Sequence, residues 1–176
     1  MFEFMFMDTA MYIRLYVQVP MLLLGCCNPA GEGSQYNGLY YTASELESIV
    51  REGQLHGVDV KTEHAGNAIG KVVSSFLDDQ GTLQCVMQVD ESTVEGALVS
   101  GFVRDGIAAD LSLGYTVDIR HSQHTNALKA GSKNLLEVSI VRRGARDGCH
   151  ISVYEDKTGV VYVKDKTDPW SGFDMN

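Results

Sequence analysis

The sequence predicts a mainly β protein of the α+β class: a closed or nearly closed antiparallel β-barrel of about seven strands with two short helices. The chain has 18 glycines and only 3 prolines, and its apolar residues lie in short alternating runs. This pattern favours short strands joined by tight turns. Only two segments show helical periodicity, which is too few for parallel βαβ winding. Closure into a barrel would remove the exposed strand edges.

Length and composition indicate one folded domain. The chain has 176 residues, of which 44% are hydrophobic and 21% charged, as in an ordinary globular protein. We assign residues 1–164 to a single domain and residues 165–176 to a C-terminal tail. The net charge of -9 argues against a nucleic-acid partner, because phosphate binding needs clustered Lys and Arg.

The N-terminal segment allows two interpretations. Residues 23–26 read LLGC, which resembles a lipoprotein cleavage box, and an exported, lipid-anchored binding domain would begin at Cys26. Acidic residues precede this box and Pro20 interrupts the apolar run, unlike in a signal peptide. Residues 13–19 alternate as in a half-buried strand, which we favour. No apolar run reaches the roughly 20 residues of a membrane helix, so we expect no membrane partner.

The two helices have capping signals at their N-termini. Thr42 and Glu45 have the spacing of a capping box, and the helix that follows ends before Gly53. Ser92 and Glu95 repeat the spacing at the start of a second helix of about three turns. Both helices are therefore expected to be short and amphipathic.

The remaining elements are predicted from alternation and from turn residues. Alternating apolar and polar residues indicate strands at residues 57–63, 69–77, 82–89, 108–120, 135–142, 149–155 and 159–164. Small or polar residues indicate loops and turns at residues 28–37, 65–67, 78–81 and 121–133. The first two strands of this series form a hairpin with His64 at its tight end.

The cysteines indicate neither a disulfide framework nor a metal site. They stand at positions 26, 27, 85 and 149, without a CxxC pair or the Cys/His spacing of a zinc site. We expect free thiols in a reducing compartment. The chain also lacks a phosphate-cradling glycine pattern, so we expect neither a metal nor an organic cofactor.

Ser112 is a candidate nucleophile within the strand sequence DLSLGY. It alternates with Leu111 and Leu113, and Gly114 removes a side chain on the face that Ser112 occupies. This leaves room for a substrate backbone. A serine in a strand is more often an ordinary polar residue, so the pattern alone does not establish this role.

His64 and Glu137 are candidates for an acid–base pair. His64 ends a strand beside the small residues Ala65 and Gly66, and histidine suits general-base work near neutral pH. Glu137 lies in an apolar stretch, where a carboxylate must face solvent or find a partner. A surface histidine and an outward-facing glutamate are the commoner interpretations of these two positions.

Three segments that contain these residues resemble the capsid-maturation proteases, a group that includes the assemblins of herpesviruses and the prohead proteases of tailed phages. The similarity runs over residues 39–154. The strand-histidine-hairpin motif, the "LSIGY"-like nucleophile strand and the "EVSLV"-like strand match residues 58–72, 102–115 and 136–141. The order of histidine, serine and acid along the chain also agrees with the family.

The resemblance implies roles for the three candidates. Ser112 would be the nucleophile, His64 the general base and Glu137 the residue that orients the histidine. Herpesvirus enzymes have a second histidine in the third position, whereas phage relatives have an acid there. Glu137 therefore leaves the branch of the superfamily open.

The resemblance also implies an oxyanion site. Residues 144–146 fall where the herpesvirus enzymes carry Gly-Arg-Arg, so the Ala145 amide would be a donor to the oxyanion. Arg146 would hold a water molecule toward it. Arg142 and Arg143 compete for this supporting role, and register favours Arg146.

The implied function is a serine endopeptidase that cleaves scaffold protein and itself during procapsid maturation, with small residues at the cleaved bond. Its partners would be scaffold and capsid proteins, with a homodimer as a candidate state. It would act in the procapsid or virion interior, in the host nucleus if herpesvirus-like and in the host cytoplasm if phage-like. The alternative is a catalytically inactive β-barrel that serves as a capsid-assembly or scaffold module.

Overall fold

The computed structural model describes residues 20–29, 39–121, 128–155 and 161–163. Within them the chain forms one eight-stranded sheet with two α-helices. The elements in chain order are β1 (Met21–Asn28), α1 (Ala43–Arg51), β2 (Asp59–Thr62), β3 (Ala65–Leu77), β4 (Leu83–Val89), α2 (Val94–Arg104), β5 (Asp110–His121), β6 (Leu128–Val141), β7 (Ile151–Glu155) and β8 (Val161–Val163). The mainly β class with two short helices is confirmed.

The sheet is mixed rather than antiparallel throughout. Its strand order is β5-β6-β2-β3-β4-β1-β7-β8, and β2 pairs with β6 in parallel. The other neighbouring strands are antiparallel. A parallel pair needs a long crossover, and β3, β4, α2 and β5 supply it between β2 and β6. The expectation of a purely antiparallel sheet was therefore wrong.

The sheet curls until its β5 edge approaches the start of β7. An isolated bridge joins Asp110 to His150, and the Ile151 amide donates to the Ala109 carbonyl over 2.7 Å. In the described part of the chain no ladder extends this bridge along the two strands. The structure is an open, curled sheet, and closure into a barrel is not confirmed. Register shifts in several strand pairs are the irregularities that bend such sheets.

The buried apolar side chains form one core cluster between the strands and the helices. Fully buried side chains from the strands include Leu23, Leu111 and Val138, and the helices add Leu46 and Val103. Burial of apolar side chains of this size stabilises a fold by about 1.5–3 kcal/mol each. None of the described helices is long and apolar enough to cross a membrane.

Both predicted helices are present, but one predicted cap is wrong. The Thr42 hydroxyl accepts the Glu45 amide, and the Glu45 carboxylate accepts the Thr42 amide over 2.7 Å, which confirms the capping box. The second helix is capped by Thr93, whose hydroxyl accepts the Gly96 amide over 3.0 Å, and not by Ser92. Serine and threonine are both good caps, so two adjacent candidates are not separated by residue type.

Most predicted strands are confirmed with shifted ends. β1 was not predicted: it occupies Met21–Asn28, the segment that contains the LLGC sequence, and Cys26 is buried in it. β6 begins at Leu128, so the loop predicted at residues 121–133 is wrong at its C-terminal end. The start of β6 pairs with the end of β5, and this backbone pairing does not require apolar side chains.

Several expectations fall on other parts of the chain. The strand predicted at residues 13–19, most of the loop at 28–37 and the tail at 165–176 lie outside the described residues. The assignment of residues 1–164 to one domain stays a prediction.

Candidate active site

Ser112 lies on β5, with only 5% of its surface exposed. Antiparallel pairing with β6 sets Ser112 opposite Ser139 and Gly114 opposite Glu137. A Cβ atom at Gly114 would lie 2.5 Å from Glu137 Cγ. The space that Gly114 leaves is therefore filled by the Glu137 side chain, and not by a substrate backbone as the sequence suggested.

His64 lies in the two-residue turn between β2 and β3. Glu63 and His64 have φ angles of 49° and 59°, the left-handed conformation that two-residue hairpin turns of type I′ require. The turn is therefore at residues 63–64, and the prediction of a turn at 65–67 was wrong, because Ala65 already pairs with Thr62. Residues with side chains adopt this conformation at a cost of about 1–3 kcal/mol each.

Contacts with β6 hold this turn in place. The Glu63 amide donates to the Ile140 carbonyl over 3.2 Å, and the His64 amide donates to the Ser139 hydroxyl over 3.1 Å. The Glu63 carboxylate accepts the Arg142 amide over 3.0 Å. These bonds help to maintain the strained backbone that carries the histidine ring.

The three candidate residues form one hydrogen-bonded line. Ser112 Oγ lies 2.9 Å from His64 Nε2, and His64 Nδ1 lies 2.7 Å from Glu137 Oε1. An ionised carboxylate can only accept, so Nδ1 carries the proton and Nε2 has a free lone pair. That lone pair is available to accept the hydroxyl proton of Ser112. The arrangement is suited to activating a serine as a nucleophile.

The surroundings of Glu137 favour its ionised form. The residue is 8% exposed, and its burial acts to raise the pKa of the carboxyl. Hydrogen bonds from His64 and Ser139 outweigh burial, and Lys61 Nζ lies 3.5 Å from Oε2. The net effect lowers the pKa of Glu137 below its usual value. The carboxylate is therefore charged near neutral pH, as stabilisation of an imidazolium requires.

The serine and the histidine lie in the wall of an open cleft. The cleft has a volume of about 370 Å³, and the His64 side chain is 45% exposed. The other residues that line it are Leu39, Leu113, Gly114, Tyr115, Val117, Ala145 and Arg146. The Ser112 side chain therefore borders open space as well as the protein interior.

The loop after β6 brings Ala145 and Arg146 into the same cleft. Arg146 is 6% exposed, and its Nη2 donates to the Tyr115 hydroxyl over 2.9 Å. The guanidinium also lies over the Tyr115 ring, 5.6 Å from its centre. The Gly144 amide donates to Asp110 Oδ2 over 2.8 Å, which attaches the loop to β5. A buried positive charge thus lies near the serine.

Arg143 is not brought to the cleft. It is exposed, and it is not among the described residues that line the cleft. Arg142 is also exposed, and its side chain pairs with Glu63 at 3.4 Å. Both follow directly after β6. Of the three arginines considered from the sequence, the structure brings Arg146 to the candidate site.

Sequence reasoning missed two polar residues that contact Glu137. Ser139 donates to Oε1 over 3.0 Å, and it lies two residues after Glu137, on the same face of β6. That spacing was a signal that could have found it. Lys61 reaches the carboxylate because β2 and β6 are parallel neighbours, with Lys61 opposite Ser139. Nothing local in the sequence indicates that pairing.

Within the described ranges, no group of three or more His, Cys, Asp or Glu residues is arranged to hold an ion.

Comparisons with known proteins identify structural relatives only. No protein-family model and no curated protein sequence matches this chain. The protease of Kaposi's sarcoma-associated herpesvirus (KSHV), solved with a hexapeptide phosphonate inhibitor, is similar in fold, with 13% identity and a TM-score of 0.54. The match covers 77% of this chain and 64% of that chain, so the chain spans less than two thirds of that protein.

A second structure of the same viral protease, solved with an allosteric inhibitor, gives 12% identity and a TM-score of 0.47. That match covers 77% of this chain and 78% of the other. Of these two structures, only the first has a TM-score above 0.5. At this level of identity the comparison shows that the chain has a fold like that of a herpesvirus protease.

Proposed function

We propose that this protein is a serine endopeptidase of the capsid-maturation type, with Ser112 as nucleophile, His64 as general base and Glu137 as the residue that orients the histidine. The observation that carries the proposal is the line of two hydrogen bonds, 2.9 and 2.7 Å long, among these residues. Ser112 lies 48 positions after His64 in the sequence, and Glu137 lies 73 positions after it. Local sequence preferences do not produce such a convergence, whereas covalent catalysis requires it.

The reaction would proceed in two halves. Ser112 Oγ attacks the carbonyl carbon of the scissile peptide while its proton passes to His64 Nε2, and Glu137 stabilises the resulting imidazolium. The imidazolium then gives this proton to the departing amine as the C–N bond breaks. In the second half His64 takes a proton from water, whose oxygen attacks the acyl ester. The proton returns to Ser112 Oγ as the acid product leaves.

The oxyanion of each tetrahedral intermediate would be stabilised from the loop after β6. The Ala145 amide and Arg146 are the proposed contributors, the latter through a water molecule. Both residues line the cleft beside Ser112, and Tyr115 fixes the buried guanidinium. Fixed positive potential at this point stabilises charge that develops in the transition state. The exposed Arg143 has no part in this proposal.

Scaffold and capsid proteins, together with the chain itself, are the proposed substrates, and a homodimer in the immature capsid is the proposed setting. Two observations support peptide cleavage. The cleft is open, and the structural relative is a viral protease solved with a hexapeptide phosphonate inhibitor. The branch of the superfamily stays open, so the proposed location is the host nucleus if the protein is herpesvirus-like and the host cytoplasm if it is phage-like.

Cleavage of a proteome-derived peptide mixture tests the proposal. We expect the native protein to generate new termini that share a preferred sequence with small residues at the cleaved bond. Ser112→Ala should generate none, whereas Ser74→Ala, at an exposed strand serine outside the cleft, should cleave like the native protein. If Ser112→Ala cleaved as well as the native protein, the assignment of Ser112 as the nucleophile would be wrong. A catalytically inactive capsid-assembly module would give no new termini with any variant.

A further inference from the structure

We infer that Ser139 is a positioning residue that fixes the histidine and the carboxylate relative to each other. The inference rests on the proposed function, and it concerns a residue outside the proposed triad. Ser139 is fully buried, at 0% exposure, near the C-terminal end of β6. It contacts two members of the triad and faces the third.

The hydroxyl of Ser139 makes two hydrogen bonds with opposite roles. It donates to Glu137 Oε1 over 3.0 Å and accepts the backbone amide of His64 over 3.1 Å. Oε1 is the same oxygen that accepts His64 Nδ1–H. One serine hydroxyl can donate once and accept at the same time, so both bonds can form together.

Strand register gives Ser139 its central position. It lies opposite Ser112 across the β5–β6 pair and opposite Lys61 across the β2–β6 pair. Residues opposite each other in a sheet have side chains on the same face, at close range. Ser139 therefore occupies the position between the strand that carries the nucleophile and the strand that leads into the histidine turn.

The two bonds connect a strained backbone to a buried charge. His64 has a φ of 59°, a conformation that persists only where its surroundings maintain it. The bond from its amide to Ser139 opposes relaxation of the turn, and the bond from Ser139 to Oε1 fixes the carboxylate that the ring must meet. Displacement of either group by about 1 Å lowers reaction rates on the order of 100-fold.

Covalent labelling kinetics with a fluorophosphonate probe test this inference. In Ser139→Ala we expect the maximal rate of labelling at Ser112 to fall on the order of 10- to 100-fold, with the concentration for half-maximal rate nearly unchanged. Ser139→Thr keeps the hydroxyl and should recover most of the rate. The control is Ser100→Ala, at a serine that is also 0% exposed but whose hydroxyl has no hydrogen-bond partner among the described residues.

A second measurement is independent of activity. The proton on His64 Nδ1 should give a low-field NMR resonance that is absent in His64→Ala. We expect Ser139→Ala to shift or broaden it by more than Ser100→Ala does. If the native protein is labelled normally and Ser139→Ala is labelled at the same rate, the inference is wrong and the proposed function stands. If the native protein is not labelled, the proposed function fails, and an unchanged resonance then refutes the inference as well.

Discussion

The chemistry of the candidate site depends on a few side chains. The sequence shows which residue types they are, but it does not show the distances between them. His64 and Glu137 could be selected by residue type and by the family motifs. Their contact at 2.7 Å follows from the pairing of β2 with β6, which lie far apart in the chain. The sequence correctly indicated that Gly114 leaves free space because it has no side chain. The Glu137 side chain fills that space, where a substrate backbone was expected.

Gly114→Ala tests the close fit between β5 and the carboxylate. The new Cβ would lie 2.5 Å from Glu137 Cγ and 3.0 Å from Oε1, so Glu137 must leave the position in which it accepts the His64 ring. We expect the labelling rate of Ser112 to fall on the order of 100-fold, and overpacking to lower the free energy of unfolding by about 1–3 kcal/mol.

The matched control for this change is Gly101→Ala on α2. A Cβ there meets no atom within 4 Å, so we expect a normal labelling rate and a free energy of unfolding that is unchanged or raised by up to about 1 kcal/mol. Equal behaviour of the two variants would show that Gly114 has no special place beside Glu137.

At the scale of single elements, the sequence predicted a helix end or a turn correctly where only one local residue fits the structural role. The capping box of Thr42 and Glu45 was found because both partners lie within four residues. The cap of α2 was assigned to Ser92 instead of Thr93 because two adjacent residues fit the same role. The hairpin with His64 at its tight end was predicted and is confirmed, but its turn was placed at residues 65–67 because these are small or polar. The turn lies at Glu63 and His64 instead, where contacts with β6 maintain the positive φ.

Thr42→Ala tests the contribution of the capping box. The change removes the acceptor for the Glu45 amide, and we expect the free energy of unfolding in urea to fall by about 1 kcal/mol. Glu47→Ala, on an exposed position of the same helix, should change it by less than about 0.5 kcal/mol. A loss of the same size in both variants would contradict a specific role for the cap.

At the scale of the whole molecule, the mainly β class was predictable and the topology was not. Alternation and turn residues located most strands, but strand order depends on pairings between distant segments. The parallel β2–β6 pair is the decisive one, because it aligns Asp59 with Glu137 and Lys61 with Ser139. No local pattern distinguishes a parallel neighbour from an antiparallel one in a strand of four residues. The expectation of a purely antiparallel sheet was wrong at this level, and a closed or nearly closed barrel is not confirmed.

The burial of all four cysteines gives a test of the packed structure. None is more than 6% exposed, they form no disulfide, and burial raises the pKa of the Cys27 thiol. We expect a thiol reagent to modify none of them rapidly in the native protein and all four after denaturation. Thiol reagents should also leave peptide cleavage unchanged. Rapid native modification that abolishes cleavage would indicate a cysteine nucleophile and would contradict the proposed chemistry.

Mapping of the fluorophosphonate adduct by peptide mass spectrometry tests the central claim most directly. Only a serine with a functioning base reacts readily with such a probe. We predict one adduct per chain, located on Ser112, absent in Ser112→Ala, and formed on the order of 1,000-fold or more slowly in His64→Ala. The absence of an adduct in the native protein, or an adduct on another residue, would contradict the account.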